Sequence, residues 1–379
     1  MSSAVLALSP SASRQGDQRV RGASWWRVQL PLATALRHAT ADTAVLEAVV
    51  LRLDLGDAVG WAEVRSNGEY ATHESADAIE TALASVVVGE TVETVTAALL
   101  LRSRLATMAV DVAALDALGK REGLPLHRLL SGGTGEGVPR ALRTHAPIGF
   151  GSVSEAEDRA RRHVVDGFRR VKVRVGASDV AADLDRVRAI RAVVGPDVDV
   201  VTDANGAWDV DRALVALPAL AAEGVSWLEQ PVASVDDLRD VTASARRLRR
   251  DIGASLSIRA DESVTDARSV PRLRRAVDGV HLKLEKVGTI ARLKAAIEVA
   301  LANDLVVALG QMDQGRLGCA ATVHVAAGLG LRDAELWGCA EVARDVAGPL
   351  TLTDGCVLVP TRPGLGVNVE LTCPPRGTL

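Results

Sequence analysis

The sequence predicts an α/β protein in which a TIM-type (β/α)8 barrel is joined to a smaller α+β unit. Three observations support this fold class. The first third of the chain changes from an alternating to a helical hydrophobic period. After Gly137, short apolar runs alternate with amphipathic helices, which is typical of a parallel sheet closed into a barrel. The length of 379 residues suits one barrel with an accessory domain.

Residues 24–65 predict a small antiparallel sheet. Apolar and polar residues alternate over this stretch, so one face of each strand would be buried. The predicted breaks in the sheet are Pro31, Gly56 and Gly60.

A helical period extends from Ser75 to Leu130. Its apolar stripe contains Met108, Val112, Leu115 and Leu118. Gly132 and Gly133 predict the end of this helical region. The sheet and these helices together would form the first α+β unit.

Eight apolar runs predict the barrel strands. Each is followed by a loop and by a stretch with a helical period. The runs are 140–148, 168–175, 198–203, 225–229, 257–261, 279–284, 305–309 and 334–337. The segment from Leu350 to Glu370 is rich in Pro and Gly, and it predicts strands and turns that return to the first unit.

We therefore predict four segments along the chain. They are a disordered leader over residues 1–22, a capping α+β domain over 23–136, the barrel over 137–345 and a closing segment over 346–379 that returns to the capping domain. The leader is rich in Ser, Ala and Arg but lacks the continuous apolar core of a secretion signal, which predicts a cytoplasmic protein.

The composition argues against membrane and nucleic-acid functions. No stretch approaches the ~20 uncharged apolar residues that a transmembrane helix needs. The formal net charge is −4, and no block of Lys and Arg is accompanied by aromatic residues that would stack on bases. The four cysteines lack the spacing of a metal clip; they are Cys319, Cys339, Cys356 and Cys373. We expect no nucleic-acid partner and no membrane association.

Three carboxylates end consecutive predicted strands. They are Asp203, Glu229 and Asp261. The C-terminal ends of barrel strands are where barrel enzymes build their active sites. Three carboxylates at one mouth would repel one another unless a hard cation joined them, and oxygen ligands suit Mg2+ and also Mn2+. The alternative is that each acidic residue only caps the helix that follows it.

Basic residues lie on the same predicted strands. Lys172 and Arg174 are alternate residues of the second run, so they face the same side. Lys283 is flanked by apolar residues that predict a buried strand, where an unpaired ammonium group is unfavourable. A nearby divalent cation would lower the pKa of Lys283 and make it suitable as a base. The alternative is that Lys283 is an ordinary surface charge.

Several segments of the chain are similar to a known family. They are GFRRVKVRVG (167–176), VTDANGAWD (201–209), WLEQPV (227–232), ADES (260–263), HLKLEKVG (281–288), GWAEV (60–64), AVDVAALDALGKREGLPLHRLL (109–130) and PGLGV (363–367). Together they resemble the enolase superfamily, in its muconate lactonizing enzyme (muconate cycloisomerase) subgroup, over nearly the whole chain. The resemblance implies a modified TIM-type barrel under a capping domain built from both chain ends.

The resemblance also implies roles for residues at the barrel mouth. Asp203, Glu229 and Asp261 would bind Mg2+. The ion stabilises the enediolate that forms when a proton leaves the carbon next to a carboxylate. Lys283 matches the acid/base lysine of the sixth strand, and Lys172 matches the first lysine of a Lys-x-Lys pair on the second strand.

Arg174 stands where the second lysine of that pair is usual. Arginine is effectively always protonated, so it can bind a carboxylate or stabilise negative charge but is a poor proton shuttle. Racemases and epimerases of this family use two bases on opposite faces of the substrate carbon, and this chain offers one obvious base. A reaction on one face is therefore favoured, such as lactone formation or syn elimination.

Two further segments bear on the reaction. Gln314 stands where the family commonly has Glu. Residues 335–338, ELWG, resemble the ELFG of muconate cycloisomerases. Dipeptide epimerases present an Asp-x-Asp there to a substrate ammonium, and Trp337 does not match its second Asp. We therefore favour a substrate other than a dipeptide.

Capping-domain loops select the substrate in this family. Here residues 31–42 and 65–74 would lie over the barrel mouth. The predicted substrate contacts are His38, Tyr70, Asn205, Glu262, Gln311, Gln314 and Glu335. For His38 and Tyr70 the alternative is an ordinary loop role, and His324, inside an Ala/Val-rich helix, is predicted to be structural.

The leading hypothesis is a Mg2+-dependent isomerase of the muconate cycloisomerase kind that acts on a small carboxylic acid. One alternative is another reaction of the superfamily, by a racemase, epimerase or dehydratase acting on an amino acid, dipeptide or hydroxy acid. A further alternative is a non-catalytic metabolite-binding barrel, left after loss of the second lysine. Homo-oligomers are common in the family, so we also expect a homo-oligomer.

Overall fold

The computed structural model describes residues 18–38, 41–132, 137–177 and 179–379. Most of the predicted leader, residues 1–17, lies outside the described residues. Within these ranges, no helix has both the length and the apolar character needed to cross a membrane.

The first strands form the antiparallel sheet that the alternating pattern predicts. They are β1 (Gly22–His38), β2 (Ala41–Asp54) and β3 (Val59–Arg65). The order in the sheet places β2 between β1 and β3. The register of β1 on β2 runs from Gly22 opposite Asp54 to His38 opposite Ala41, with a shift between Pro31 and Leu36.

Two of the predicted breaks in this sheet are wrong. Pro31 lies inside β1, paired with Val45, where β1 has only β2 as a neighbour in its sheet and a missing N–H is tolerated. Gly60 lies inside β3, and a Cβ at this position would lie 1.7 Å from the carbonyl oxygen of Ala113. Gly60 is therefore a site of close helix packing rather than a turn.

Five helices follow, each separated by a short loop. They are α1 (Glu69–Thr72), α2 (Ala76–Leu83), α3 (Val92–Leu100), α4 (Arg104–Glu122) and α5 (Leu126–Leu130). Ser75, Thr91 and Ser103 begin α2, α3 and α4 by accepting a backbone N–H with their hydroxyl groups. The predicted stripe on α4 is buried. All the remaining residues between Leu105 and Gly119 are buried as well.

Strand β4 (Ala141–Arg143) lies in a separate three-stranded sheet, so the predicted run 140–148 forms two strands of which only the second enters the barrel. The barrel strands and their helices are β5 (Ala146–Ile148), α6 (Val153–Val165), β6 (Arg170–Arg174), α7 (Val180–Val194), β7 (Asp199–Asp203), α8 (Val210–Ala222), β8 (Val225–Glu229), α9 (Val235–Ile252), β9 (Ser257–Ala260), β10 (Gly279–Lys283), α10 (Leu284–Val287), α11 (Ile290–Ala302), β11 (Val306–Gly310) and α12 (Arg316–Gly328). A 3-10 helix, Val270–Leu273, takes the place of an α-helix between β9 and β10. Strands β5 to β11 form one parallel sheet in chain order.

The last of the eight predicted strands is an exception. Residues 334–337 make a single parallel bridge, between Leu309 and Ala334. The N–H of Leu336 donates to Oγ1 of Thr144, just before β5, at 2.9 Å. The segment thus lies between the last and the first strand of the sheet. Two backbone hydrogen bonds join it to Leu309 of β11, from the N–H of Leu309 to the carbonyl oxygen of Asp333 and from the N–H of Glu335 to that of Leu309, and the Thr144 side chain joins it to the first strand.

The closing segment returns to both parts of the molecule. Its strands are β12 (Ala347–Gly348), β13 (Leu352–Thr353), β14 (Cys356–Leu358), β15 (Asn368–Val369) and β16 (Gly377–Thr378). Strand β14 pairs with β4, and β16 pairs with β1 at the edge of the first sheet. The predicted return of the chain end to the first unit is confirmed.

Charged side chains fill the N-terminal end of the barrel. The guanidinium of Arg259 lies 3.6 Å from the ring centroid of Trp227, and that of Arg170 lies 4.4 Å from it. Asp333 accepts from both arginines, at 2.6 Å from Arg259 and 2.5 Å from Arg170. The opposite end, where the strands finish, carries the site described below.

The capping sheet is joined to the barrel by Glu63. This carboxylate of β3 accepts the N–H of Gly315 at 2.5 Å and that of Gly318 at 3.2 Å, at the start of α12. A helix N-terminus favours an anion. However, complete burial, together with the charge of Asp345, raises the pKa of Glu63 to about 7.

Replacing Glu63 by glutamine is expected to flatten the pH dependence of stability. Because the pKa of Glu63 in the folded state is about 7 against 4.5 for the free side chain, the folded state binds more protons over this interval. The Glu63 carboxyl therefore contributes most to the free energy of unfolding below pH 4.5, and this contribution is lost as the pH rises to 7. The change is on the order of 3 kcal/mol. Urea unfolding at pH 5 and pH 8 measures the free energy of unfolding of both proteins. If this free energy fell equally between the two pH values in the parent and in Glu63→Gln, the prediction would be contradicted.

Candidate active site

The three strand-end carboxylates converge at the C-terminal mouth of the barrel. Asp203 on β7 lies opposite Glu229 on β8, and Asp261 directly follows β9. All three side chains are almost completely buried. Since β7, β8 and β9 are adjacent parallel strands, the three acids share one edge of the sheet.

Lys172 is the cation at the centre of this cluster. Its Nζ lies 3.0 Å from Oδ2 of Asp203, 2.9 Å from Oε1 of Glu229 and 2.8 Å from Oε1 of Glu335. Burial alone would lower the pKa of Lys172, but the three carboxylates outweigh it and raise the pKa. The charge of the Lys172 ammonium is thus balanced by three carboxylates.

Arg174 lies two residues further along β6 and faces the same side. Its Nη1 donates to Oδ2 of Asp203 and, at 3.2 Å, to Oδ1 of Asn205. Burial opposes the charge of Arg174, but Asp203 and Glu335 raise its pKa above the ordinary value. The side chain thus offers a fixed positive charge and no means of accepting a proton.

Lys283 ends β10 on another side of the same mouth. Its Nζ donates to Oδ2 of Asp261 at 2.8 Å, and Lys286 reaches Oδ1 of the same carboxylate at 2.5 Å. Burial would lower the pKa of Lys283, but Asp261 and Glu335 raise it well above the ordinary value. Without a bound cation, the pKa of Lys283 is therefore raised rather than lowered as expected, because the negative charges of these carboxylates stabilise its ammonium form.

Two buried histidines complete the polar layer, and the sequence analysis missed both. Nε2 of His145 lies 2.7 Å from Oε1 of Glu335, and Nδ1 of His281 lies 2.8 Å from Oε1 of Glu229. Burial lowers the pKa of His145, whereas Glu229 and Glu335 outweigh burial and raise that of His281. Strand alternation offered one signal, since His281 shares a face with Lys283.

One subset of these residues has the spacing of a metal site. Glu229, Asp261 and His281 each offer a ligand atom, and these atoms lie within 4.8 Å of one another. Asp203 is adjacent, but its carboxylate is held by Lys172 and Arg174. Several buried carboxylates at one mouth are a donor set that fits a divalent cation.

A cavity of about 60 Å³ opens above this layer. Most of the predicted substrate contacts and all three predicted catalytic residues line it: Tyr70, Lys172, Arg174, Asn205, Glu262, Lys283, Gln311 and Glu335. His145, Met312, Asp313 and Trp337 also line it and were not predicted. Burial and the charge of Asp261 raise the pKa of Glu262 to about 7.

Two predicted contacts are not placed at the cavity. Gln314 is fully buried and lies 3.1 Å from the amide of Gln311, because the chain turns into α12 immediately after it. The side chain of His38 lies outside the part of the chain that the structure describes.

The capping unit contributes Tyr70 to the cavity wall. Nη1 of the buried Arg65 lies 3.3 Å from the Tyr70 hydroxyl and 3.8 Å from Oδ2 of Asp313, a cavity residue of the barrel. Burial raises the pKa of Tyr70. Tyr70 and Ala71 of the predicted loop 65–74 therefore lie at the barrel mouth, whereas Glu74 contacts the start of α4.

His324 lies away from this cavity, packed between α5 and the closing segment. Its Nδ1 accepts the N–H of His127 at 3.0 Å, and its Nε2 lies 3.2 Å from the carbonyl oxygen of Leu365. Burial lowers the pKa of His324 to about 3. These contacts agree with the structural role expected for His324.

Comparison with known proteins gives the same fold. The model of the mandelate racemase / muconate lactonizing enzyme N-terminal domain matches residues 20–131. The model described as enolase C-terminal domain-like matches residues 155–372.

Two relatives of similar identity to this chain differ in activity. The chain is 29% identical over 361 residues to an L-Ala-D/L-Glu epimerase of Bacillus subtilis (strain 168), covering 90% of this chain and 94% of the relative. It is 30% identical over 363 residues to a chloromuconate cycloisomerase of Pseudomonas putida, with the same coverage of 90% and 94%.

A solved structure of similar fold contains the ion that the strand-end acids suggest. A dipeptide epimerase from Methylococcus capsulatus, complexed with Mg and the dipeptide L-Arg-D-Lys, matches with a TM-score of 0.81 and 26% identity, over 92% of this chain and 99% of that chain. The family models, the relatives and the order of strands agree, and the chain belongs to the enolase superfamily, in its mandelate racemase / muconate lactonizing enzyme group.

Proposed function

We propose that the protein is a Mg2+-dependent isomerase that removes a proton from the carbon next to a carboxylate, with Lys283 as the base. One observation carries the proposal: Lys283 and Arg174 line one cavity directly above the buried carboxylates. The titratable amine of Lys283 and the permanently charged guanidinium of Arg174 thus line the same small cavity. The cavity volume of about 60 Å³ suits a small acid.

Asp203, Glu229 and Asp261 would hold the ion. Mg2+ bound there would stabilise the negative charge of an enediolate and would neutralise the carboxylates that raise the pKa of Lys283. The relative from Methylococcus capsulatus, solved with Mg, supports this choice of ion.

The remaining roles follow from the charges of this chain. The amino group of Lys172 and the guanidinium of Arg174 line the cavity and would bind and orient the substrate carboxylate. Lys283 would take the proton from one face. Because Arg174 cannot shuttle a proton, the favoured reaction is the one-base isomerisation of the muconate cycloisomerase kind.

Deuterium exchange tests this proposal. A set of small carboxylic acids, including muconolactone and Ala-Glu dipeptides, is incubated with the protein and Mg2+ in D2O and followed by proton NMR. Exchange of the α-proton without inversion is expected. Absence of exchange for every acid that binds would instead favour a non-catalytic metabolite-binding barrel.

An epimerase is the second candidate, and His145 is the observation that favours it. His145 lines the cavity, its pKa is lowered by burial, and Glu335 holds its Nε2 at 2.7 Å. A neutral imidazole of this kind could serve as a second acid or base. Inversion of an α-chiral acid that is lost in His145→Gln, with exchange retained, would support the epimerase.

Replacing Arg174 by lysine is expected to lower native turnover at least about tenfold, since a hydrogen bond to a charged group contributes about 1.5–3 kcal/mol. The charge would remain, but the forked donors would be lost. The new lysine would also supply a second titratable amine, so we expect a weak racemising activity absent from the parent. Chiral chromatography of reacted acids measures both effects. A parent that already inverts the same centre at a comparable rate would refute the one-base reaction.

Three further predictions belong with this proposal. We propose the division into a leader (1–22), capping domain (23–136), barrel (137–345) and closing segment (346–379). We also propose a cytoplasmic location and a homo-oligomer. Limited proteolysis tests the boundaries, and light scattering tests the oligomer.

A further inference from the structure

The position of His281 in the sheet places an imidazole beside the metal carboxylates. On strands β9 and β10, Val280 lies opposite Ala260, so the next residues, His281 and Asp261, are side by side. His281 is 3% exposed and Asp261 is 1% exposed. The imidazole of His281 is therefore buried next to the carboxylate cluster.

The three donor groups lie close enough together to approach one ion. Nδ1 of His281 is 2.8 Å from Oε1 of Glu229, and one ligand atom from each of Glu229, Asp261 and His281 lies within 4.8 Å of the other two. Nitrogen and oxygen ligands lie about 2.0–2.2 Å from a bound divalent transition metal, so two ligands of one ion are at most about 4.4 Å apart. Small side-chain rotations would bring all three donors onto one ion.

No other described histidine has this placement. His145 lies in the same polar layer, but its Nε2 contacts Glu335, which is outside the cluster. His281 also approaches Glu335, at a longer distance of 3.7 Å from Nε2. His145 thus serves as a matched control: it is a buried cavity histidine with a carboxylate partner but without the ligand spacing.

We propose that His281 is a metal ligand together with Glu229 and Asp261, and that its nitrogen gives the site a preference for divalent transition ions such as Mn2+ and Co2+ over Mg2+. Imidazole is a ligand for transition metals, whereas Mg2+ is bound by oxygen donors. This inference rests on the metal site of the proposed function, but it concerns the donor set and the identity of the ion rather than the reaction.

The coordination can be measured without any substrate. The full-length protein is loaded with Mn2+, and pulsed electron paramagnetic resonance records the coupling of the ion to nitrogen-14. We expect the coupling of a directly bound imidazole in the parent, its loss in His281→Gln and its retention in His145→Gln. An imidazole that only orients Glu229 would give no such coupling in the parent, and that spectrum would overturn the inference.

Calorimetry tests the preference for the ion. We expect His281→Gln to lower the affinity for Co2+ at least about tenfold and to change the affinity for Mg2+ much less. Equal losses for the two ions would contradict the preference. The two proposals fail differently: a parent that binds Mg2+ and Mn2+ without nitrogen coupling overturns only the role of His281. A folded parent that binds no divalent ion overturns this inference and the proposed function together.

Discussion

Replacing Lys283 by alanine is expected to lower the rate of α-proton exchange about 100- to 10,000-fold, which is the usual contribution of a general base. Lys283 is the titratable amine at the cavity wall, and its Nζ is held at 2.8 Å from Asp261. The fold should survive, because Lys286 still balances Asp261 at 2.5 Å. Mg2+ affinity should be equal or higher, since one competing cation has been removed.

Lys286→Ala is the matched control for this prediction. Lys286 contacts the same carboxylate but does not line the cavity. Its removal takes the same charge from Asp261, so it reports any effect of that charge alone on exchange. Exchange at the parental rate in Lys283→Ala would refute the assignment of the base.

The sequence was informative about the strand ends because their geometry is simple. Parallel strands finish at one edge, so acids at the ends of consecutive strands must meet there. This is why the sequence alone predicts that Asp203, Glu229 and Asp261 lie together. Lys172 and Arg174 could be placed on one face for the same reason, since alternate residues of a strand point the same way.

The histidines could not be recognised in this way. His145 and His281 stand singly in apolar runs, where a buried structural histidine such as His324 gives the same pattern. Their place in the site depends on partners far away in sequence, which are Glu335 for His145 and Glu229 for His281. A local pattern of apolar and polar residues does not predict such long-range contacts.

Packing between distant elements was equally hidden from sequence patterns. Helix α4 was expected to bury one stripe, but it lies between strand β3 and the barrel helices α10 and α11, so it is buried on nearly every side. The pattern at Gly60 predicts a turn because it does not show that the backbone of Ala113 packs against this glycine. The eighth barrel segment was assigned as a strand from its apolar residues, although only Leu309 and Ala334 form a bridge there.

Replacing Glu229 by alanine is expected to abolish Mg2+-dependent activity and to lower Mg2+ affinity by at least about 100-fold, since even residues that only support metal ligands contribute 10- to 100-fold. Glu229 is buried between Lys172 and His281, and both partners hold it ionised: burial would raise its pKa, but His281 and Lys172 lower it below the ordinary range. Its two cationic partners thus favour the ionised form that a metal ligand needs.

Asp203→Ala and Asp261→Ala are expected to abolish Mg2+-dependent activity as well. Isothermal calorimetry with Mg2+ measures all three variants, and circular dichroism shows whether each has folded. Glu285→Gln is the control, because Glu285 is buried beside the mouth but accepts the N–H of Met312 at 3.1 Å and lies outside the ligand cluster. Removing its charge should leave Mg2+ affinity near that of the parent. Unchanged Mg2+ affinity in a folded Glu229→Ala variant would show that the ion, if it binds, is held elsewhere.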